Sequence, residues 1–451
     1  MTFKILSFYL LLGSVVAWSM GVGALEPEQR LTLHEAIIVA LKHNPQVIAA
    51  RHEADAAVYQ TTSARSGLLP QVYLSETFNH TNSPLWAFGT KLNQGIIANS
   101  DFNPDQLNDP DAVNNFATAL NISWNLFDGG QTRMGWQQAQ KGRQIAALNL
   151  KRLEQQIIAQ AAKAYVGLLL AVENLTVVNQ TLDTARAHLK LVQDRFRSGL
   201  AVKSDLLRSQ VRIADLEQQQ LTADSQVQVA QAMLHAAMGR SDDIAITPTT
   251  PIEHCNIIQG KLAQWIEKAL AQRPDLKQVT FQEEMADQEI ARVRAGHYPT
   301  LALQGNYEIN SEAFDDTHDN YMLGAVLRVN LYSGQRISSQ TAAAKAIKFK
   351  VLAMHKALEL GARVATQQAY FQTQSIWQSI TVARKAVDQA EEGLRIVTSR
   401  YSGGLLTIVD LLDAQTALQQ ARTRHFKAMH DYKVARIDLA LAAGTIDAAF
   451  E

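Results

Sequence analysis

Four segments of the chain alternate apolar with small or polar residues, which is the period of a β-strand with two different faces. In the first of them, after Pro70, Val72 and Leu74 occupy the apolar face and Tyr73 and Ser75 the other. This is the pattern of a membrane β-barrel with lipid outside and water inside, although a half-buried sheet in a soluble domain gives it too. We assign two strand pairs, 69–83 with 115–127 and 299–310 with 320–332.

Each strand pair is followed by a long stretch with helical periodicity. Within residues 130–197, apolar or alanine residues recur about every 3.5 positions, the period of a coiled coil. At 1.5 Å per residue this stretch predicts a rod about 100 Å long. Gly199 ends the rod, and a second helix over 204–238 returns along about half of it. Helix 46–66 can supply most of the rest if the two shorter helices stack end to end.

The chain is an internal duplication. Asn44-Pro45 recurs 229 positions later as Arg273-Pro274, and Asp205-Leu206-Leu207 recurs 205 positions later as Asp410-Leu411-Leu412. The second offset holds without a slip from the strand exits onward. The change of offset places about 24 extra residues in the first copy, where the prolines within 84–111 predict an irregular loop.

The duplication divides the chain into successive segments. The apolar run after Lys4 and the small residues at 22–24 predict a secretory signal peptide. After residue 24 no run of about 18 consecutive apolar residues occurs, so we expect no transmembrane helix. The segments are a signal peptide at 1–24, a first structural repeat at 25–239, an equatorial linker at 240–273, a second structural repeat at 274–444 and a C-terminal tail at 445–451.

Composition excludes several functional classes. The 42 basic and 43 acidic residues give a net charge of −1, which argues against a nucleic-acid partner. The single cysteine excludes an internal disulfide and a cysteine-rich zinc site. No HExxH pair, glycine-rich phosphate loop or GxSxG elbow occurs. We therefore expect no enzyme activity, no cofactor and no metal. None of the 10 prolines interrupts the predicted long helices.

Several motifs resemble those of one protein family. The region after the signal peptide reads Leu31-Thr32-Leu33-x-Glu35-Ala36-Ile37-x-x-Ala40-Leu41-x-x-Asn44-Pro45. The first strand pair exits through Phe127-Asp128-Gly129-Gly130, and both long helices end in a Phe/Tyr-x-x-Gly turn followed by Asp-x-Leu. In this order and in duplicate, the motifs resemble TolC-family outer-membrane efflux proteins over essentially the whole mature chain.

The resemblance implies an α+β fold that is mainly α. Four strands cannot close a barrel, whose minimum is about eight, and the resemblance implies that three chains share one barrel of 12 strands continued by a periplasmic barrel of 12 helices. Residues 25–45, 240–274 and the C-terminal tail would form an equatorial domain around the helices. The implied role is the passive exit duct of a tripartite efflux or type I secretion system in the outer membrane of a Gram-negative bacterium.

The implied partners are two further copies of the chain, a periplasmic adaptor (membrane fusion) protein, an inner-membrane transporter of the ABC, RND or MFS type, and outer-membrane lipid. No nucleic acid is expected. The 84–111 loop would be extracellular. The alternative interpretation is a soluble periplasmic coiled-coil scaffold or adaptor without a pore, which the alternating strands argue against.

The resemblance also implies a pore constriction at Asp410 and Asp413. The two residues are three positions apart and share one helix face. Three chains would place six carboxylates around the pore, which favours cations. Thr407 precedes Asp410 by three positions, so a capping box at a helix start explains Asp410 equally well.

Entrance gate contacts are implied at Tyr401, Asp205 and Ser204. The family has an arginine where this chain has Leu406, so we expect a more weakly held closed state. Adaptor contacts are implied at the tips of the two turns, and for these residues a simple hairpin turn with a glycine at positive φ is the competing explanation. The tip residues are Phe196, Ser198, Gly199, Tyr401 and Gly404.

Overall fold

Long helices dominate the protein, whose computed structural model describes residues 29–242, 244–252 and 256–447. Helices α5 (Gln131–Arg197) and α9 (Arg336–Ser402) have 67 residues each, which corresponds to about 100 Å. Antiparallel to them run α6 (Lys203–Met238) and α10 (Ile408–Ala442). The mainly α fold class is confirmed. The predicted signal peptide lies outside the described residues.

The shorter helices stack end to end, as predicted. Helix α2 (Pro45–Ser66) starts where α6 stops, and its capping residue Asn44 donates an Nδ2 hydrogen bond to the Ala237 carbonyl at 3.1 Å. Gly239 has φ of +71°, and a Cβ there would lie 2.6 Å from the Asn44 Cα. Only glycine therefore fits this joint. In the second repeat α8 (Pro274–Arg294) follows α10 in the same way, with Arg273 Nη1 donating to the Ala442 carbonyl at 3.2 Å.

Four antiparallel strands form one sheet at the far end of the helices, in the order β2-β3-β5-β6. The pairing repeats with the duplication. Leu74 pairs with Leu120, and the residues 229 and 205 positions later, Leu303 and Ala325, pair with each other. The strands are β2 (Gln71–Thr81), β3 (Val113–Phe127), β5 (Thr300–Ser311) and β6 (His318–Arg328).

The apolar face of this sheet is exposed in the single chain. Leu74 is 74% and Leu323 is 80% exposed, whereas Asn115 and Ala117 on the polar face are buried. A soluble sheet has the opposite arrangement. The exposed apolar face suits contact with lipid.

A girdle surrounds the middle of the long helices. It contains a short parallel pair, β1 (Gln29–Leu31) with β4 (Ile246–Pro248), together with α1 (Leu33–His43) and α7 (Leu262–Gln272). Tyr165 of α5 is fully buried, and its hydroxyl donates to the Leu31 carbonyl at 2.8 Å while accepting from the Thr249 N–H at 3.0 Å. This hydroxyl ties both strands of the pair to α5.

The segment predicted as an irregular loop is largely helical, so that prediction is wrong. It contains α3 (Pro84–Asn93), a 3₁₀ turn at Asn99–Phe102 and α4 (Pro104–Asn108). Of the three prolines that indicated a loop, Pro110 lies between α4 and β3, whereas Pro84 and Pro104 stand at the first position of α3 and α4. There the missing N–H removes no helical hydrogen bond and the fixed φ suits the helix.

One described helix, α5, is long and apolar enough by length and composition to cross a membrane. Its best 18-residue window has a mean hydropathy of 1.4, with 44% of the window buried inside the chain. The sequence analysis expected no such helix because it looked for a run of consecutive apolar residues. A window can reach a high mean hydropathy without such a run. Since Ile157, Leu168 and Tyr165 of α5 lie in the girdle core, we assign its apolar character to packing.

Candidate functional site

The two long hairpins end side by side, at the end of the protein farthest from the sheet. Both turns have a glycine at φ of +76°, Gly199 after α5 and Gly404 after α9. The next N–H closes each helix, from Leu200 to the Arg195 carbonyl at 2.8 Å and from Leu405 to the Arg400 carbonyl at 3.0 Å. The turns are therefore equivalent in backbone geometry, as the duplication predicts.

A small hydrophobic cluster holds the two turns together. Its buried members are contributed by α5, by the end of α9 and by the first turns of α10. Leu206 of α6, which forms the first hairpin with α5, packs against this cluster. The tips therefore have a core of their own, separate from the girdle. The buried members are Val192, Tyr401, Ile408 and Leu411.

Arg195 links the first turn to the second, and the sequence analysis did not identify it. Its guanidinium donates to the Tyr401 carbonyl at 3.0 Å and to the Ser402 carbonyl at 2.6 Å, and lies 5.0 Å from the centroid of the Tyr401 ring. A cation over an aromatic ring adds to these hydrogen bonds. The available signal was the repeated Arg-Phe/Tyr pair at 195–196 and 400–401.

Of the residues predicted at the gate, Asp205 interacts electrostatically with Tyr401, and Ser204 is exposed. Burial raises the pKa of the Tyr401 hydroxyl, and the Asp205 carboxylate adds to that increase, whereas Arg195 opposes it. Tyr401 is 5% exposed. Its ring therefore belongs to the interior of the tips and offers little surface to a partner.

Asp410 forms the capping box at the start of α10. Its Oδ2 accepts from the Thr407 N–H at 2.9 Å and from the Thr407 hydroxyl at 2.6 Å. The Thr407 oxygen accepts in return from the Asp410 N–H at 3.4 Å. The hydrogen bonds from the Thr407 side chain and backbone lower the pKa of this exposed carboxyl. One oxygen is thus engaged in the cap, and the group is ionised at neutral pH.

Asp413 is exposed one turn further along α10 and borders a groove between α6 and α10. On the opposite wall Arg212 donates to Asp215 at 2.9 Å and to Gln419 at 2.8 Å. Asp410 and Asp413 are therefore both exposed carboxylates on one helix, near the tips.

The tips present apolar side chains to solvent. Leu200 and Leu405, which follow the turn glycines, are 78% and 76% exposed, and Phe196 is 38% exposed. Ser198, Gly199 and Gly404 are exposed as well. The two leucines end the turns predicted to form the tips and occupy equivalent positions in the repeats, although they were not singled out as adaptor contacts.

Comparison with known proteins gives a consistent result. The model of a family described as outer membrane efflux protein matches residues 36–240 and 265–445. The chain is 26% identical to the outer membrane protein TolC of Vibrio cholerae over 420 residues, 90% of this chain and 89% of that protein. It is 25% identical to the alkaline protease secretion protein AprF of Pseudomonas aeruginosa over 458 residues, 96% and 89% of the two chains.

Solved structures agree in fold. The Campylobacter jejuni CmeC outer membrane channel superposes with a TM-score of 0.78 over 92% of this chain and 86% of that chain, at 17% identity. At this identity the likeness shows the fold alone.

Proposed function

This chain belongs to the outer membrane efflux protein family, and we propose that three copies of it form the exit duct of a tripartite efflux or type I secretion system. It is a channel protein of the outer membrane, and its helical part extends into the periplasm. Nothing supports the alternative of a coiled-coil scaffold without a pore. We further propose that the duct uses no cofactor and catalyses no reaction. The relatives described above are named as an outer membrane protein and as an alkaline protease secretion protein.

The observation that carries the proposal is a sheet with two open edges and an exposed apolar face. Among the described strands, β2 and β6 each pair with a single neighbour. In lipid, unpaired backbone N–H and C=O groups cost several kcal/mol each, about as much as burying them in any apolar solvent. The two edge strands must therefore find pairing partners. If β6 of one copy pairs with β2 of the next, the sheets close into a barrel that has no open edge.

The duplication predicts the register of this contact. The β3–β5 pairing joins the first repeat to the second, with Leu120 opposite Tyr307. Applying the two offsets to this pair places Ala325 of β6 opposite Phe78 of β2 in the next copy. The same offsets relate the β2–β3 register to the β5–β6 register within the chain, which supports their use across the interface.

Cysteine cross-linking tests the register. In a Cys255→Ser background we expect Ala325→Cys and Phe78→Cys to form a disulfide between chains, because opposed Cβ atoms lie about 5 Å apart. Within one chain β2 and β6 are separated by two strands, about 14 Å in all, so no internal disulfide can form. After boiling in detergent, oxidised samples should run as a covalent ladder that ends at the trimer.

The matched control replaces Phe78→Cys by Thr77→Cys, which points to the other face of the strand. Cross-linking through this control pair in place of the predicted one would contradict the register. A ladder that ends at the dimer would contradict the proposed trimer.

We propose that Asp410 and Asp413 form the acidic constriction of the periplasmic entrance, and that Tyr401, Asp205 and Ser204 belong to its gate. Supporting observations are the exposure of both carboxylates and the proximity of Asp205 to Tyr401. Single-channel recording should show that Asp410→Ala with Asp413→Ala weakens cation preference and divalent-cation block. Unchanged block in the double variant would contradict the constriction.

We propose that Arg195 takes over the role of the arginine that the family has at the position of Leu406. Because its guanidinium holds the Tyr401 and Ser402 carbonyls, we expect Arg195→Ala to increase the resting conductance. Arg197→Ala is the matched control, since that exposed side chain makes only a 3.6 Å ion pair with Asp194. Equal conductance of the two variants would exclude Arg195 from the gate.

We propose that the tips bind a periplasmic adaptor, with Phe196, Ser198, Gly199 and Gly404 at the contact and Tyr401 supporting it from inside. An inner-membrane transporter of the ABC, RND or MFS type would select the substrate, either small toxic compounds or secreted polypeptides. Ser198→Cys and Ser402→Cys should cross-link the adaptor in cells, and the captured complex would identify the transporter. Cross-linking from the girdle only would contradict contact at the tips.

We also propose the segment boundaries stated above as the domain division. The equatorial linker at 240–273 and the residues around 25–45 would form the girdle, and the repeats 25–239 and 274–444 would form the walls. Supporting this division, the repeat joints fall at Gly239 and Gly444.

A further inference from the structure

The insert, residues 84–111, folds back onto the polar face of the sheet. Helix α3 contacts both β3 and β6. A Cβ on Gly95 would lie 2.5 Å from the His318 Nε2, and His318 pairs with Asn310 on that face. The insert connects β2 to β3 at the end of the sheet opposite the helices, which is the extracellular end of the channel.

A chain of amide hydrogen bonds attaches the insert to the strands. Gln94, at the end of α3, is 1% exposed and donates through Nε2 to the Asn115 side chain at 2.9 Å and to the Asn114 carbonyl at 2.7 Å. Asn115 donates to Asn310 at 2.7 Å, and Asn310 donates to Glu308 at 2.8 Å. The attachment therefore crosses from the insert over β3 to β5.

Burial along β3 shows how far the insert reaches. On the polar face Asn115, Ala117 and Ala119 are buried, whereas Ser123 and Asn125 further toward the helices are exposed. These residues share one face of one strand, so strand geometry alone does not explain the difference. The insert therefore covers the extracellular part of this face on β3 and at Asn310 of β5, whereas Thr77 of β2 and Asn320 of β6 on the same face stay exposed.

The other side of α3 is apolar and points away from the sheet. Ala87 and Gln94 are seven positions apart and both buried, so they mark the face toward the strands. Leu85 and Leu92, also seven apart, lie about 200° around the helix from that pair. They are 79% and 49% exposed. An apolar surface thus faces the space inside the barrel.

We propose that this insert is a second constriction of the duct, at its extracellular end, with Leu85 and Leu92 of the three copies as its apolar inner surface. The inference rests on the proposed trimeric channel. A barrel of 12 strands about 4.8 Å apart and tilted by about 40° has a diameter of about 25 Å. Three helices of about 10 Å diameter around the axis occupy about 22 Å of it.

A constriction of this kind excludes water and ions by dewetting rather than by charge. It differs in chemistry from the acidic residues proposed at the periplasmic entrance. The duct would then be closed at both ends at rest, by carboxylates and hydrogen bonds at one end and by apolar side chains at the other. Release of Gln94 from Asn115 frees the insert to move aside for a substrate.

Accessibility of a lumen cysteine tests the proposal. In a Cys255→Ser background, Ser123→Cys places a thiol on the polar face beyond the insert. Whole cells are treated from outside with a membrane-impermeant maleimide on a polyethylene glycol chain. We expect Gln94→Ala to raise the labelling rate about tenfold, since an occluded pore slows entry of the probe. Replacing 85–109 by a short glycine-serine linker should raise it at least as much.

Two controls accompany the measurement. Gln106→Ala changes an exposed glutamine of the same insert and should leave the rate unchanged. A thiol at Asp316→Cys, in the exposed β5–β6 turn, should react equally in every variant. An unchanged rate at Ser123→Cys after replacement of the insert would overturn the constriction.

The cross-linking ladder from β6 to β2, run on the same cells, reports the assembly separately. A complete trimer ladder with unchanged labelling overturns the constriction alone. A ladder that ends at the dimer overturns the trimeric channel and the constriction with it.

Discussion

The two repeats share one backbone but stabilise opposite ends of their long hairpins. Where the strands enter the long helices, the first repeat has Asp128, whose carboxylate accepts from the Gly130 N–H at 3.0 Å and the Thr132 N–H at 2.8 Å. The second repeat has Ser333 at that position, and its helix α9 starts without a side-chain cap. The membrane end is therefore better capped in the first repeat.

At the tips the difference is reversed. Helix α10 begins with the Thr407–Asp410 capping box, whereas the equivalent residues of α6 are Val202 and Asp205, and Val202 cannot cap. The Asp205 carboxylate is therefore not engaged in a cap and lies near Tyr401 instead. Duplication followed by divergence has given equivalent aspartates two different environments, one in a helix cap and one at the predicted gate.

Among the variants that test this comparison, removal of the Asp128 cap should change local stability the most. We expect Asp128→Ala to destabilise the first turn of α5 by about 1–2 kcal/mol, because two backbone N–H groups lose their acceptor. Ser333→Ala in the other repeat should cost less than about 0.5 kcal/mol. Amide hydrogen exchange of each first turn in the intact protein measures both. Equal acceleration in the two variants would contradict the assigned asymmetry.

Exchanging the cap residues at the tips should give effects of opposite sign. Thr407→Val should destabilise the start of α10 by about 1 kcal/mol, and Val202→Thr should stabilise the start of α6 by a similar amount through a new capping box with Asp205. Hydrogen exchange in the two tip turns provides the measurement. If Val202→Thr also changes the resting conductance, Asp205 acts at the gate; if only local exchange changes, Asp205 has no role there.

A smaller effect is expected from backbone strain at the strand exit of the second repeat, just before α9. Gln335 has φ of 65°, where the first repeat has Gly130 at 85°. A left-handed conformation costs a non-glycine residue about 1 kcal/mol. We therefore expect Gln335→Gly to slow exchange in the first turn of α9, with Gly334→Ala, at φ of 59°, as a variant that accelerates it. Slower exchange in both variants would exclude strain as the cause.

The smallest effect should be a dependence of local stability on pH, confined to the contact between α5 and α10. The Gln415 amide lies 3.0 Å from the His188 Nδ1, and burial lowers the pKa of His188. The neutral form is thus favoured on folding. Its stabilisation is complete above the unfolded pKa, about 6.5, and is lost as pH falls below it. The duplication relates His188 to Gly393 of α9 and Gln415 to Gln210 of α6, and this equivalent pair has no group that titrates in this range.

Hydrogen exchange around Gln415 should therefore accelerate at pH 5.5 relative to pH 7.5 once the intrinsic exchange rate is corrected. The variant His188→Gln keeps an acceptor and should remove this dependence. An unchanged pH dependence in that variant would assign the effect to another group.

Sequence periodicity predicted the regular elements well, because strands and helices with one apolar face carry their period in the side chains. It failed at the insert, where Pro84 and Pro104 were interpreted as helix breakers although they begin helices. It also failed at Arg195. The family pattern places an arginine at Leu406, and linear sequence does not show that a guanidinium from the other repeat reaches Tyr401.

The hydroxyl of Tyr165 fixes α5 to the girdle far from either end of that helix. The tip at Arg197 lies about 48 Å further along, at 1.5 Å per residue. A tilt of 10° about this anchor would carry the tip sideways by about 8 Å, roughly the spacing of two packed helices. The long helix thus works as a lever. A displacement of about 1 Å at a girdle contact about 6 Å from the anchor suffices for that tilt, the scale on which packed helices shift.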